Sequence, residues 1–202
     1  MPLWLDSRPL VLASKSEARA KILGGAGLRL EIRPAQIDER AVETQAAADD
    51  AQAAAQLLAG AKAQSVAAAW PGRLVLGADQ TLALDTTRFS KPADRAAARE
   101  QLRALRGKTH ALHSALALAR DGAVLFEHAD SARLTMRAFS DRFLDDYLDM
   151  AGAATLTSVG GYQIEGAGIH LFERIEGDYF TILGLPLLPL LDFLRQAGFV
   201  AR

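Results

Sequence analysis

Three groups of side chains in this 202-residue chain have the types and spacing for chemistry. The first is a carboxylate inside an apolar run. Leu74-Val75-Leu76-Gly77-Ala78-Asp79-Gln80-Thr81-Leu82-Ala83-Leu84 reads as a strand, with β-branched Val75 and Thr81 and no proline. A charge within a buried strand is costly unless it is paired, binds a metal or takes part in a reaction, so Asp79 marks a candidate active site. The bland alternative is a carboxylate that caps a neighbouring backbone amide. Gly77, two residues earlier, lets another group approach the backbone closely. The second group is Ser14, Ser16 and Arg19, at the point where a short strand, Pro9 to Ala13, turns into a helix. Backbone N–H groups and the helix dipole favour anions there, and two hydroxyls with a guanidinium would complete a phosphate cradle. The same residues also describe a Ser-capped helix with a solvated Arg. The third group is Lys62, Lys91 and Glu39. Lys62 follows the apolar stripe of an Ala-rich helix and so flanks a cleft. Lys91 stands before Pro92 at a strand-to-helix turn. Each either neutralises phosphate oxygens or is merely solvated. Glu39 and Asp79 together offer oxygen ligands to a hard divalent cation; taken alone, Glu39 is an exposed loop carboxylate.

The elements that must position these groups follow from periodicity and punctuation. A helix spans Ser16 to Leu23, capped by Ser14 or Ser16 and stopped by Gly24, Gly25 and Gly27. Leu28 to Arg33 alternates as a half-buried strand, and a loop follows through Ile37-Asp38-Glu39. Ala46 to Ala69 is a long helix with Asp49 and Asp50 in its first turn and a stripe of Ala54, Leu57, Leu58 and Ala61. Pro71-Gly72 ends it. Lys91-Pro92-Ala93-Asp94 opens a helix that buries Ala98, Leu102 and Leu105 and stops at Gly107. His110 to Arg120 and Ala123 to Arg137 form a hairpin around Asp121-Gly122. Ser140 caps a helix with Phe143, Leu144 and Tyr147 inward. Gly160 to Gly168 is a loop able to lie against a ligand, Gly177-Asp178-Tyr179 is a turn, and a last helix runs from Leu187 to Gln196. Alternating helices and strands followed by a hairpin give an α/β fold with a mixed sheet.

Composition narrows the chemistry. There is no cysteine, so thiolate catalysis, disulfides and Cys-ligated zinc are excluded. The four histidines, His110, His113, His128 and His170, lack a zinc-protease spacing and read as structural; as strand residues, His110 and His113 face opposite ways. A formal net charge of -1 provides no global field toward nucleic acid or anionic membrane. No run approaches the roughly 20 apolar residues of a membrane span, and no leader is apparent, so a cytoplasmic location is expected. The Walker, simple Rossmann and nucleophile-elbow motifs are absent.

Six motifs in chain order resemble the Maf family of nucleoside triphosphate pyrophosphatases. They are Ser14-Lys15-Ser16-Glu17-Ala18-Arg19, Asp38-Glu39, Leu58-Ala59-Gly60-Ala61-Lys62-Ala63, Gly77-Ala78-Asp79-Gln80, Ser90-Lys91-Pro92, and the tail from Gly166-Ala167-Gly168 through Ile175-Glu176-Gly177-Asp178-Tyr179 to Gly184-Leu185-Pro186-Leu187. The resemblance implies one domain over residues 1–202, with two lobes around a central cleft, similar to the inosine-triphosphate pyrophosphatase fold, and in many members a homodimer. It implies metal-dependent (Mg²⁺ or Mn²⁺) hydrolysis of a nucleoside triphosphate to the monophosphate and pyrophosphate, a house-cleaning of the nucleotide pool. Asp79 is then the proton acceptor, Ser14, Ser16, Arg19, Lys62 and Lys91 meet the substrate, and Glu39 joins Asp79 at the metal. Two departures stand out: Glu17-Ala18 replaces the usual Pro-Arg pair, and Ser90 replaces the Gly before Lys91. Gln80 and Glu165 are similar to the subgroup that prefers 7-methyl-GTP. The alternative reading is a Maf-like regulator of septum formation and cell division that senses nucleotides without turnover.

Overall fold

The structure, a computed structural model, describes residues 3–45 and 50–202. Its strands are β1 (Leu10–Leu12), β2 (Leu30–Ile32), β3 (Val75–Leu84), β4 (Thr87–Phe89), β5 (Thr109–Arg120), β6 (Ala123–Met136) and β7 (Phe172–Glu176). Its helices are α1 (Glu17–Gly25), α2 (Glu39–Glu43), α3 (Ala51–Ala69), α4 (Arg95–Leu105), α5 (Asp141–Ala151), α6 (Tyr179–Ile182) and α7 (Leu187–Gln196). The strands make one seven-stranded sheet in the order β2-β1-β3-β5-β6-β7, with β4 paired to the end of β3. β1 pairs parallel with β2 and β3, and the remaining pairings are antiparallel, so the sheet is mixed as expected.

β3 is the axis of the sheet. Its ladder with β5 runs from Val75↔Ala119 through Asp79↔Ala115 to Ala83↔Ala111. On one face, Val75 and the alanines 115, 117 and 119 meet Ala55, Ala59, Ala63 and Ala67 of α3. Alanine on both surfaces lets the helix lie close to the sheet, and Gly77 is where it comes closest. A Cβ there would overlap the Ala59 carbonyl oxygen and lie 2.6 Å from the Ala63 nitrogen. On the opposite face, Leu10, Leu12, Leu76 and Leu118 pack with Leu23 of α1 and with Leu187, Leu190 and Leu194 of α7. Further along that face, Leu82, Leu112 and Leu134 pack with Leu102 and Leu105 of α4 and with Leu144 and Tyr147 of α5. Asp79 lies between the parts of β3 that serve these two groups.

Several elements differ from their sequence reading. The part of the long helix predicted over Ala46 to Asp49 lies outside the described residues. α3 begins after Asp50, whose carboxylate accepts from the Ala53 amide at 2.7 Å. Its buried face is Ala51, Ala54, Ala55, Leu58, Ala59 and Ala63, while Leu57 is exposed. Of the predicted stripe, Ala54 and Leu58 are buried, Ala61 is half-buried and Leu57 is turned out, because the close approach at Gly77 brings the alanines to the sheet. Gly24 and Gly25 belong to α1, and the chain turns at Ala26 and Gly27. β2 holds only three residues at the sheet edge and leaves Ile32 exposed, so the predicted alternation over Leu28 to Arg33 is not expressed as burial. Asp38 caps α2 rather than lying in a loop, and Asp178 caps α6 rather than a simple turn. β4 and β7 carry no strong pattern of their own; pairing to β3 and β6 makes them strands. The hairpin turn holds, with Asp121 and Gly122 both at positive φ, 53° and 77°. No helix among the described residues is long and apolar enough to cross a membrane.

Candidate active site

A cleft of about 1140 Å³ opens at the level of Asp79, and every residue singled out for chemistry lines it: Ser14, Ser16, Arg19, Glu39, Lys62, Asp79, Gln80, Lys91 and Glu165. Groups separated by up to 151 positions in sequence thus meet at one place.

At its centre is a charged triad. The Lys62 ammonium donates to the Asp79 carboxylate at 2.6 Å and lies 2.8 Å from a Glu39 oxygen. The side chains of Lys62 and Asp79 are only 11% and 13% exposed, so solvent screens this pair weakly, whereas Glu39 is 56% exposed. The position of Lys62 follows from the packing at Gly77, since α3 can press its Ala59 and Ala63 backbone onto β3 only where no Cβ intervenes. Asp79 is therefore a paired carboxylate, and the alternative of an amide cap gains no support from its partners.

The second wall is the start of α1. The Ser16 hydroxyl caps the helix by accepting from the Arg19 amide at 3.3 Å, and the Ser14 hydroxyl accepts from the Ser16 amide at 3.2 Å. Capping and lining the cleft are compatible here, because the cap takes up the Arg19 amide and leaves the first-turn amides of Glu17 and Ala18, which have no intrahelical partner, to an anion. Arg19 is not a solvated arginine. It is 8% exposed and donates from Nε to the Gly184 carbonyl at 2.8 Å, and from Nη1 to the Ala78 carbonyl at 2.8 Å and to Ser14 Oγ at 3.1 Å. Burial lowers its pKa, the charges of Asp79 and Glu39 oppose that shift, and a guanidinium stays protonated throughout. Two of these three bonds tie α1 to β3 and to the chain after α6, so Arg19 fixes the cradle as well as charging it.

Gln80 is tied in the same way. Its amide nitrogen donates to the carbonyls of Ile182 at 2.9 Å and Thr181 at 3.2 Å and to Ser114 Oγ at 2.9 Å. The turn of α6 thus offers carbonyls to both Gln80 and Arg19. Gly184, at φ +94°, supplies the Arg19 acceptor from a backbone shape that favours glycine. Asp178 fixes this turn by accepting from the Thr181 amide at 2.8 Å, and Asp130 accepts from the Thr181 hydroxyl at 3.1 Å. Ser114, Thr181 and the Gly184 carbonyl were missed from sequence. The available signal was Asp178 followed three residues later by a β-branched Thr, the pattern of a helix cap rather than a turn.

Lys91 is exposed at the rim, where no described residue pairs with it. Lys15 and Arg40, also unassigned from sequence, line the cleft too. The segment Tyr162, Gln163, Ile164 and Glu165 lines the cleft as well. Tyr162 is buried, its hydroxyl 2.6 Å from His110 Nε2, while His110 Nδ1 has no partner among the described residues. Burial pushes the His110 pKa down to about 4 from 6.5, so the folded protein holds the ring neutral. The unfolded chain binds a proton near pH 6.5 that the folded one refuses, so stability is fully present above that pH. It falls by up to about 3 kcal/mol as pH drops from about 6.5 to 4. Urea unfolding across that window checks this, and His110→Gln is expected to flatten that part of the profile.

The sequence profile of the family described as "Maf-like protein" matches residues 9–197. Among curated proteins, the chain is 53% identical over 201 residues to a nucleoside triphosphate pyrophosphatase of Rhodopseudomonas palustris, covering 100% of both chains. It is 54% identical over 196 residues to one of Nitrobacter winogradskyi, covering 97% of each. It is also 54% identical over 190 residues to one of Paramagnetospirillum magneticum, covering 93% of this chain and 98% of that protein. With a profile match over nearly its whole length and relatives more than half identical from end to end, the chain belongs to the Maf-like protein family.

Proposed function

We propose that this chain is a nucleoside triphosphate pyrophosphatase that hydrolyses its substrate to the monophosphate and pyrophosphate in the cleft around Asp79. The observation that carries the reading is the convergence of a weakly screened carboxylate, Asp79, with a helix N-terminal cradle and with Lys62 and Lys91 in one cleft. Relatives named for this activity over their full length support it.

Phosphoryl chemistry of this kind is mostly positioning and charge neutralisation. The α1 N-terminus with Ser14 and Ser16 donates to phosphate oxygens, Arg19 holds that cradle in register with β3, and Lys91 adds charge from the rim. Asp79 takes the proton of the attacking water, a role worth about 10²–10⁴-fold in rate for an oriented base. Glu39 and Asp79 fit a hard divalent cation, since they converge on one Lys62 ammonium. Two carboxylates plus substrate oxygens is the usual way Mg²⁺ is bound. Such a cation would draw charge from the phosphate oxygens. Glu165, which lines the cleft, meets the base in this reading, where a carboxylate accepts from a guanine edge and favours a cationic, methylated base. Gln80 is the other substrate contact in this reading, its amide nitrogen held by α6 and Ser114.

Pyrophosphate release from 7-methyl-GTP, GTP, UTP and dTTP, with Mg²⁺ or Mn²⁺, tests this reading. The methylated nucleotide is expected to have the highest kcat/KM, with Glu165→Gln narrowing its advantage. A clear preference for the pyrimidines would sink the base assignment. Nucleotide binding with no release from any of the four would favour a sensor without turnover.

A further inference from the structure

We propose that Lys62 is a built-in placeholder: its ammonium holds the cation position between Glu39 and Asp79 in the free protein, and an arriving divalent cation displaces it toward the phosphates. This rests on the metal-dependent pyrophosphatase reading of the same cleft. The Lys62 nitrogen lies 2.8 Å from a Glu39 oxygen and 2.6 Å from an Asp79 oxygen, so it already does what the metal would do, neutralising both carboxylates at once. An ammonium within 2.8 Å of both oxygens and a metal ligated directly by both cannot share that space.

Two further observations favour exchange over coexistence. Among the described residues no cluster of three or more His, Cys, Asp or Glu side chains is arranged to hold a metal, so the chain itself offers this pair and leaves the other ligands to the nucleotide. The cleft lining is also electrically balanced. Five cations, Lys15, Arg19, Arg40, Lys62 and Lys91, face an equal number of carboxylates, and two of the cations are engaged inside the protein. A polyanionic substrate needs positive charge that the resting cleft does not have to spare. A divalent cation taking over Glu39 and Asp79 both adds charge and frees Lys62, whose flexible stem and three donors suit a phosphate oxygen. Lys62 thus becomes a phosphate contact only on loading, and the nucleotide-free protein discriminates against free metal.

Mn²⁺ binding to the nucleotide-free protein, followed by the electron paramagnetic resonance of free Mn²⁺, tests the exchange. Lys62→Met is expected to bind Mn²⁺ about tenfold or more tightly than the wild type, because a cation competing for the same carboxylates is gone. Adding Glu39→Gln to that variant is expected to reverse the gain. Equal or weaker Mn²⁺ affinity in Lys62→Met would overturn the proposal. Should Lys62→Met fail to fold, the wild type decides. The rate at which an amine-acylating reagent modifies Lys62, read by mass spectrometry, is expected to rise several-fold once Mn²⁺ is raised to a level that saturates the nucleotide-free protein. An unchanged or slower rate contradicts displacement. Pyrophosphate release by the wild type, measured alongside, separates the two claims. Turnover with no Mn²⁺ effect at Lys62 removes the exchange alone, and absent turnover with tighter Mn²⁺ binding in Lys62→Met removes the pyrophosphatase reading alone.

Discussion

Asp79→Asn is expected to reduce turnover by about 10²–10⁴-fold, the range lost when an oriented general base is removed. Asn keeps the volume and shape of the side chain, so the β3 register and the fit of α3 are preserved. What disappears is a negative charge 2.6 Å from Lys62 and the only atom proposed to accept the proton. Lys62 retains Glu39 at 2.8 Å, so the ammonium is not stranded, and the stability cost stays near that of one charged hydrogen bond, about 1–3 kcal/mol. The two steady-state constants separate base from binder. Loss confined to kcat marks a group needed in the transition state, whereas a raised KM with kcat preserved would mark Asp79 as a binding residue only. Thermal unfolding of the same preparation verifies that the variant is folded when assayed.

Gly77→Ala is expected to destabilise the fold by about 3 kcal/mol, the upper end of the usual cost of overpacking. The reason is local and steric. A Cβ at this position meets backbone, the Ala59 carbonyl oxygen and, at 2.6 Å, the Ala63 nitrogen, and backbone cannot turn aside as a flexible side chain can. The only relief is for α3 to lift off the sheet. That movement would carry Lys62 away from Asp79, because Lys62 precedes Ala63 in the helix turn that must retreat. Urea unfolding reads the stability loss. Activity measured per folded molecule is expected to fall as well, whereas a variant at a distant core alanine of equal cost would keep it. An unchanged midpoint of unfolding would show that α3 does not depend on this contact.

Much of this site was legible in the sequence because its parts depend on local rules. A charge in an apolar strand, hydroxyls at a strand-to-helix turn and a glycine two residues from the charge each carry their reason with them. Asp79, Ser14, Ser16 and Gly77 are in the places those rules give. The helix ending at Ala69, the hairpin at Asp121-Gly122 and the last helix from Leu187 followed from periodicity and turn chemistry alone. What was hidden is what only the tertiary arrangement decides. Nothing near Arg19 shows that its guanidinium ends on Gly184, 165 residues away. Nothing near Gln80 shows that its amide is taken up by α6. From its place on the helix Lys62 read either as a phosphate contact or as a solvated lysine, and only the family resemblance made it a substrate contact. That two carboxylates already hold it depends on the depth to which α3 is packed. The strands β4 and β7 were invisible for the same reason, being three and five residues made regular by their neighbours.

The central claim is tested most directly by identifying the products formed from a nucleoside triphosphate with the wild-type protein and Mg²⁺, followed by phosphorus NMR. The account predicts nucleoside monophosphate and pyrophosphate appearing in equal amounts from the first time point, and in Asp79→Asn the same products forming about 10²–10⁴-fold more slowly. Nucleoside diphosphate with inorganic phosphate as the products, or bound triphosphate that persists unchanged, would contradict it.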